Sequence, residues 1–131
     1  CDFEEYINST KAAGLAYAAF ACSDGTVWEA SKGFDLQNQE IIEICEAMEE
    51  EKFVSTFQIA KEKHFVIQLS YDRVLTKLGS RGTVICRTPG GVMIGYYDEN
   101  LTPGAASVIV HRIALALSKS SWMKSKSAMK Q

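Results

Sequence analysis

The amino-acid sequence predicts an α+β fold with a central, mainly antiparallel β-sheet. The N- and C-terminal helices are expected to pack together on one face of the sheet, and a further helix is expected on the other face. Three observations support this prediction. Short apolar segments separated by turn residues fill the middle of the chain. Residues 36–50 instead repeat apolar positions at helical spacing, and residues 105–121 form an apolar segment of helical length.

Length and composition indicate one globular domain over residues 1–131. Of the 131 residues, 47% are hydrophobic and 23% are charged, which is sufficient for a buried core. The longest apolar run, 12–21, is about half the length that a membrane-spanning helix requires. We therefore expect a cytoplasmic protein whose residues 123–131 form a flexible basic tail.

The first predicted elements are a helix and a hairpin. Residues 3–9 carry acidic side chains in the first turn, where the helix dipole favours them, and apolar side chains along one side. Those apolar residues are Phe3, Tyr6 and Ile7. The segments 15–22 and 26–30 are apolar or β-branched and flank a Ser-Asp-Gly turn, which predicts a β-hairpin.

The sheet continues after the helix at 36–50. Five further strands are predicted, at 53–59, 64–70, 72–77, 82–88 and 91–97. Strands so close in sequence are joined by hairpins and therefore pair antiparallel. The last helix, 105–121, is apolar nearly all round. We expect it to be covered on two faces, by the sheet and in part by the first helix.

Charge is distributed unevenly along the chain. Residues 1–51 hold 12 acidic and 2 basic side chains, a net charge of −10, whereas residues 52–131 hold 4 acidic and 12 basic side chains, a net charge of +8. A basic surface of this kind would steer an acidic partner. The four cysteines are far apart in sequence, which argues against paired metal-binding or redox motifs and predicts buried or half-buried thiols.

The residues give no support for an enzyme, a cofactor or a metal site. His64 and His111 have no neighbouring pattern of nucleophiles. The glycine pairs match neither phosphate-binding motif, so we interpret them as turn residues. Asp98 and Glu99 lie in a predicted turn, where solvent is the expected neighbour. We therefore predict a non-enzymatic binding protein.

Four aromatic residues predict a recognition surface. Phe3 and Tyr6 lie on the first helix, Trp28 lies on the hairpin, and Trp122 lies just past the last helix. If the terminal helices pack together above the hairpin, the four rings converge on one patch, and exposed aromatic patches commonly bind a partner. Parallel aromatic ridges suit a proline-rich segment, which is already extended and loses little entropy on binding.

Four stretches of the chain, taken in order, resemble the profilin family. They are Phe3-x-x-Tyr6, Ser23-Asp24-Gly25-x-x-Trp28-x-x-Ser31-x-x-Phe34, the basic hairpin around Lys77 to Gly82, and Thr102-Pro103-Gly104 before the last helix. The second stretch is the specific one, and the resemblance spans nearly the whole chain.

The resemblance implies a cytoskeletal regulator of actin filament assembly. Such a protein binds monomeric actin on one surface and proline-rich proteins, such as formin-like elongation factors, on another. It also binds phosphoinositide lipids through overlapping basic residues. We expect a monomer that has no nucleic-acid partner.

The resemblance also assigns site residues. The proline-rich ligand would bind Phe3, Tyr6, Trp28, Leu117 and Trp122. Actin would bind Lys63, Lys77, Arg81, Leu101, Thr102, Gly104, Ser107 and Arg112. The chain departs from the family pattern at Phe3, where tryptophan is common, and at Ala116, where tyrosine or histidine is usual.

Two alternatives remain open from the size of the chain and the order of its elements. A small sensory or adaptor domain of the PAS or roadblock type would bury Trp28 and hold a ligand in a pocket. A small enzyme would need a cleft that brings His64 or His111 together with a carboxylate.

Overall fold

The computed structural model describes residues 3–88 and 90–118. Three helices and seven strands occur within these ranges. In chain order they are α1 (Phe3–Ala12), β1 (Tyr17–Cys22), β2 (Val27–Ala30), α2 (Asn38–Glu50), β3 (Thr56–Ile59), β4 (Glu62–Leu69), β5 (Arg73–Leu78), β6 (Arg81–Thr88), β7 (Gly91–Tyr97) and α3 (Pro103–Ser118). Every predicted element is present, with its ends shifted by a few residues. The predicted continuation of the last helix to residue 121 lies outside the described residues.

The strands form one antiparallel sheet. Their order across the sheet is β2-β1-β7-β6-β5-β4-β3, and each neighbouring pair runs antiparallel. β7 lies between β1 and β6, and all of its residues are buried. The sheet therefore needs cover on both faces around β7. The predicted fold class is confirmed.

Each face of the sheet has its own hydrophobic core. On one face, which we call the α2 face, Ile41 and Ile44 of α2 pack with strand residues such as Ile85. On the other, which we call the terminal-helix face, Ile7 of α1 and Val110 of α3 belong to one cluster with residues of β1, β6 and β7. The terminal helices therefore share one face, as predicted.

The last helix lies against β6 and β7. Gly95 of β7 allows this close approach, because a Cβ atom there would clash with Cγ2 of Val110. As expected, α1 contacts α3 and covers it in part. The side of α3 that carries Val108 and Leu115 stays open, and these residues are 55% and 45% exposed. Although α3 is apolar, neither it nor another helix of the described ranges is long and apolar enough to cross a membrane.

A buried carboxylate joins α2 to the turn between β3 and β4. Glu40 Oε1 accepts hydrogen bonds from the backbone N–H groups of Gln37 at 3.0 Å and Ala60 at 2.8 Å. Its Oε2 accepts from the backbone N–H of Lys61 at 2.9 Å. Ala60 and Lys61 have φ values of 52° and 68°, the left-handed conformation that a two-residue hairpin turn requires and that non-glycine residues rarely adopt. Glu40 therefore stabilises a turn whose own residues disfavour it.

A second polar network lies inside the sheet and centres on His64, which has no exposed surface. His64 Nδ1 lies 3.2 Å from Thr76 Oγ1, and Thr76 Oγ1 lies 2.7 Å from Thr83 Oγ1. His64 Nε2 lies 3.7 Å from Glu62 Oε1, which accepts a hydrogen bond from the Tyr96 hydroxyl at 2.8 Å. Burial lowers the pKa of His64, so the ring is neutral in the folded protein at neutral pH.

Two cysteines lie in the cores. Cys45 belongs to the core on the α2 face and Cys86 to the core on the terminal-helix face. Burial raises the pKa of each thiol to about 11, which keeps both protonated at neutral pH. Cys22 is half-buried, and Cys1 lies outside the described residues. The expected burial is confirmed for the three described cysteines.

We expect stability to fall as the pH decreases below about 6.5 because of His64. The unfolded chain gains a proton on this residue near its usual pKa of about 6.5, whereas the buried ring resists protonation. The free energy of unfolding then decreases by up to about 1.4 kcal/mol for each pH unit. Urea denaturation at several pH values measures this slope. His64→Gln should flatten it, and an equal slope in the variant and the unaltered protein would contradict the assignment.

Relief of backbone strain at Lys61 should stabilise the protein. Lys61→Gly replaces a side chain in the left-handed region and should raise the free energy of unfolding by about 1 kcal/mol. The lost ion pair with Asp35 is exposed and contributes little. Lys61→Ala is the matched control, because it removes the ion pair and keeps the strain. Thermal denaturation compares the two variants, and a lower midpoint for Lys61→Gly than for Lys61→Ala would argue against strain at this turn.

Candidate functional site

A β-bulge sets the direction of Trp28. In the pairing of β1 with β2, Phe20 is opposite Glu29 but the next residue, Ala21, is opposite Val27. Trp28 is therefore the additional residue on β2, and such a bulge can turn a side chain to the other face of a sheet. Val27 packs with the core on the α2 face, whereas Trp28 packs with the core on the terminal-helix face. The bulge thus brings Trp28 to the side on which α1 lies.

Tyr6 of α1 and Trp28 of β2 border the same core, and both are half-buried. The Tyr6 ring meets Phe20 edge-to-face, with centroids 6.4 Å apart and an interplanar angle of 72°. We call the surface formed by Tyr6 and Trp28 the aromatic patch. The side chains of Phe3 and Leu117, and the whole of Trp122, lie outside what the structure describes. Their assignment to the proline-rich site stays a prediction.

The other residues of the Ser23–Phe34 motif support the hairpin. Asp24 Oδ1 accepts a hydrogen bond from the backbone N–H of Thr26 at 2.9 Å. Gly25 has a φ of 98°, and a Cβ atom there would lie 2.9 Å from a backbone oxygen of α2. Ser31 Oγ accepts from the backbone N–H of Ala18 at 2.9 Å and so fixes the end of β2 to β1. These residues are structural, and Trp28 is the part of the motif that combines a large ring with partial exposure.

A second surface lies on the terminal-helix face, where α1 and α3 leave β3, β4 and β5 uncovered. Strand alternation and register place a row of side chains there, and we call this row the open sheet face: Gln58, Lys63, Phe65, Arg73, Leu75 and Lys77. Lys63 and Lys77 are exposed, and Phe65 is 56% exposed although it is a large apolar residue. The open sheet face thus combines basic and apolar side chains.

Arg73 connects the open sheet face to α3. Its Nη1 donates to Ser107 Oγ at 3.3 Å, and its Nη2 lies 3.5 Å from His111 Nδ1. Arg112 follows His111 in the same helix and is exposed. The open sheet face and the adjoining side of α3 therefore form one continuous surface. Arg73 is not among the actin-binding residues predicted from the sequence, because its contact with Ser107 joins residues that are 34 positions apart.

Three predicted site residues lie at the start of α3. Thr102 caps the helix, since its Oγ1 accepts a hydrogen bond from the backbone N–H of Ala105 at 3.1 Å. Leu101 is half-buried and packs over Gly14, so it closes the core more than it presents a surface. Gly104 is exposed, and a Cβ atom there would meet no neighbour within 4 Å.

Arg81 lies apart from Lys77, although the two belong to one hairpin. It pairs in register with Leu78, one residue beyond the Lys77–Gly82 pair, and strand alternation directs it to the α2 face. There its Nη1 lies 3.3 Å from Glu62 Oε2. The structure therefore brings Lys63, Lys77, Ser107 and Arg112 to one surface and places Arg81 on the other side of the sheet.

Comparisons with known proteins agree on one family. The sequence model of the family Profilin matches residues 2–122. Profilin-2 of Dictyostelium discoideum is 31% identical over 108 residues, which cover 82% of this chain and 87% of that protein. Profilin-2 of Acanthamoeba castellanii is 26% identical over 102 residues, which cover 76% of this chain and 81% of that protein.

Solved structures show the same fold. Acanthamoeba castellanii profilin IA superposes with a TM-score of 0.83 at 22% identity, covering 89% of this chain and 97% of that one. LokiProfilin2, solved in a complex with rabbit actin, superposes with a TM-score of 0.76 at 19% identity and covers 88% of this chain and 94% of that one.

Proposed function

The chain belongs to the profilin family, and we propose that it binds monomeric actin through the open sheet face and the adjoining side of α3. The main observation in support of this proposal is that large apolar side chains are exposed on that surface. Phe65, Val108 and Leu115 are large apolar residues, each about half exposed. Apolar residues grouped in this way, with polar residues around them, are typical of protein interfaces. The PAS or roadblock alternative is not favoured.

Charge favours an acidic partner at the same surface. Lys63 and Lys77 on the strands and Arg112 on α3 are exposed cations, and Arg73 lies between the two elements. Complementary charge accelerates association and selects the orientation of the complex. The actin complex of LokiProfilin2, which has the same fold, supports actin as the partner.

We further propose that the aromatic patch binds proline-rich segments. Tyr6 and Trp28 present partly exposed rings close to the terminal helices, and such rings are suited to an extended proline-rich chain. The aromatic patch and the open sheet face lie towards opposite ends of the strand order, so both ligands can be held together. The protein would then act in the cytoplasm as a scaffold that delivers actin monomers to proline-rich elongation factors, without itself making a covalent change.

Phosphoinositide lipids would compete with actin under this proposal. Their headgroup phosphates would contact the same cations, Lys63, Lys77 and Arg112, because these are the exposed basic residues of the open sheet face and α3.

Charge reversal on the open sheet face should weaken actin binding. We expect the double variant Lys63→Glu with Lys77→Glu to raise the dissociation constant for monomeric actin by about tenfold or more, mainly through a slower association rate. Lys61→Glu is the matched control, since Lys61 is an exposed lysine in the β3–β4 turn, bonded to Asp35. Sedimentation or fluorescence titration with labelled actin measures both. Equal affinity of the double variant and the control would remove the open sheet face from the actin site.

Removal of the Trp28 ring should weaken binding of proline-rich peptides. We expect Trp28→Ala to weaken binding of a proline decamer by at least about tenfold, and Trp28→Phe to weaken it less. Phe53→Ala is the control, because Phe53 is a 59% exposed aromatic residue outside the aromatic patch. Isothermal titration calorimetry gives the affinities, and circular dichroism verifies folding. Full affinity in a folded Trp28→Ala protein would rule out the aromatic patch as the proline-rich site.

A further inference from the structure

A cleft of about 410 Å³ opens at one end of the sheet, outside both proposed surfaces. Its walls come from the starts of β1, β4 and β6, the end of β7 and the loop before α2. The residues that line it are Ala16, Tyr17, Gly33, Phe34, Asp35, Ala60, Glu62, Arg81, Tyr96 and Asp98. We call it the acidic–aromatic cleft. Its volume is sufficient for a small organic molecule.

Three aromatic rings form a rigid wall of this cleft. Tyr17 and Phe34 stack with centroids 5.4 Å apart and an interplanar angle of 17°. Tyr96 stands nearly perpendicular to both, at 5.6 Å from Tyr17 and 5.8 Å from Phe34. Phe34 and Tyr96 are buried and Tyr17 is half-buried, so packing holds the rings in place before any ligand arrives.

The carboxylates of the cleft are also held in place. Glu62 accepts a hydrogen bond from the Tyr96 hydroxyl at 2.8 Å, and this bond lowers the pKa of Glu62, which is therefore ionised at neutral pH. Burial raises the pKa of Tyr96 to about 12, so its hydroxyl stays a donor. Asp98 Oδ1 accepts from the backbone N–H of Asn100 at 3.0 Å. Each carboxylate is thus oriented by a neighbour on its own side of the cleft.

The charges that line the cleft do not cancel. Three carboxylates, those of Asp35, Glu62 and Asp98, face a single lining cation, Arg81. Arg81 is bonded to Glu62, and Lys61, outside the lining, is bonded to Asp35. Among the described residues, Asp98 has no basic side chain within 4.0 Å. The cleft therefore has an excess of negative charge beside aromatic rings.

We propose that the acidic–aromatic cleft binds a small organic cation that carries a methylated ammonium group. Aromatic rings attract such a group through their quadrupole, and it loses less hydration than a primary ammonium ion when it leaves water. Asp98 provides the unpaired negative charge. An anion is disfavoured because Arg81 already contacts Glu62 and the other charges of the lining would repel it.

A titration followed by two-dimensional amide NMR tests this proposal. Choline is the probe, and its uncharged isostere 3,3-dimethylbutan-1-ol is the control for shape. We expect choline to cause saturable shifts at Tyr17, Gly33 and Asp98 with a dissociation constant in the millimolar range, and the isostere to cause none. A short peptide whose only charged side chain is one Nε-trimethyllysine distinguishes a free small cation from a methylated side chain on another protein. Binding of acetate at these residues, or equal shifts with the isostere, would overturn the proposal.

Substitutions at two adjacent residues distinguish binding of choline at Asp98 from nonspecific electrostatic attraction to the protein surface. Asp98→Asn keeps the shape of the side chain and removes its charge, and we expect it to weaken choline binding by about fivefold, as for one partly screened charge. Glu99→Gln removes the adjacent exposed carboxylate, which does not line the cleft, and should leave the affinity unchanged. Equal effects of the two changes would contradict a site at Asp98. Actin binding is measured separately, so failure here leaves the proposed function untouched.

Discussion

The fold depends on the burial of β7 on both sides of the sheet. All residues from Gly91 to Tyr97 are buried, so the strand needs helical cover on both faces. α2 supplies the cover on one face and α3 on the other, where Gly95 leaves room for Val110. The lengths of α1 and α3 then limit how much of the sheet they can cover. The two terminal helices cover β1, β2, β6 and β7, and β3 to β5 remain open on that face. The surface proposed to bind actin is the part of the sheet that the helices do not reach.

The two faces also differ in how they are held together. On the α2 face, polar groups do much of the positioning: Glu40 fixes the turn between β3 and β4, and the His64 network lies between Thr76 and Glu62. On the terminal-helix face, the contacts of the described residues are mainly apolar, and Arg73 is the polar link between strand and helix. The pH dependence expected from His64 and the strain in the β3–β4 turn therefore belong to the α2 face, whereas the surfaces proposed for actin and for proline-rich segments belong to the opposite face.

Most of the fold could be predicted from local patterns, and the sites could be predicted only in part. Strands, helices and the shared face of the termini follow from apolar spacing within short windows. The uncovered side of α3 does not, because Val108 and Val110 are the same residue type and only the way α3 lies on β6 and β7 decides which is buried. The separation of Arg81 from Lys77 depends on strand register, and the Arg73–Ser107 contact joins distant segments. The role of Glu40 has no local signature either, because the backbone N–H groups that it accepts from lie 20 and 21 residues away in sequence.

Because of the bulge in β2, the number of residues in this strand decides where Trp28 points, independently of which residues the strand contains. The contacts of Val27 and Ala30 with the core on the α2 face hold the two ends of β2 in place. Trp28 is the additional residue of the bulge in the pairing of β2 with β1. A chain shortened by one residue here would pair more regularly and still close its core. The ring proposed to bind proline-rich segments would be gone or would point to the other face of the sheet. A single-codon deletion could thus remove the proposed recognition of proline-rich partners and leave most of the fold in place, at the cost of the contacts that Trp28 makes with the terminal-helix core.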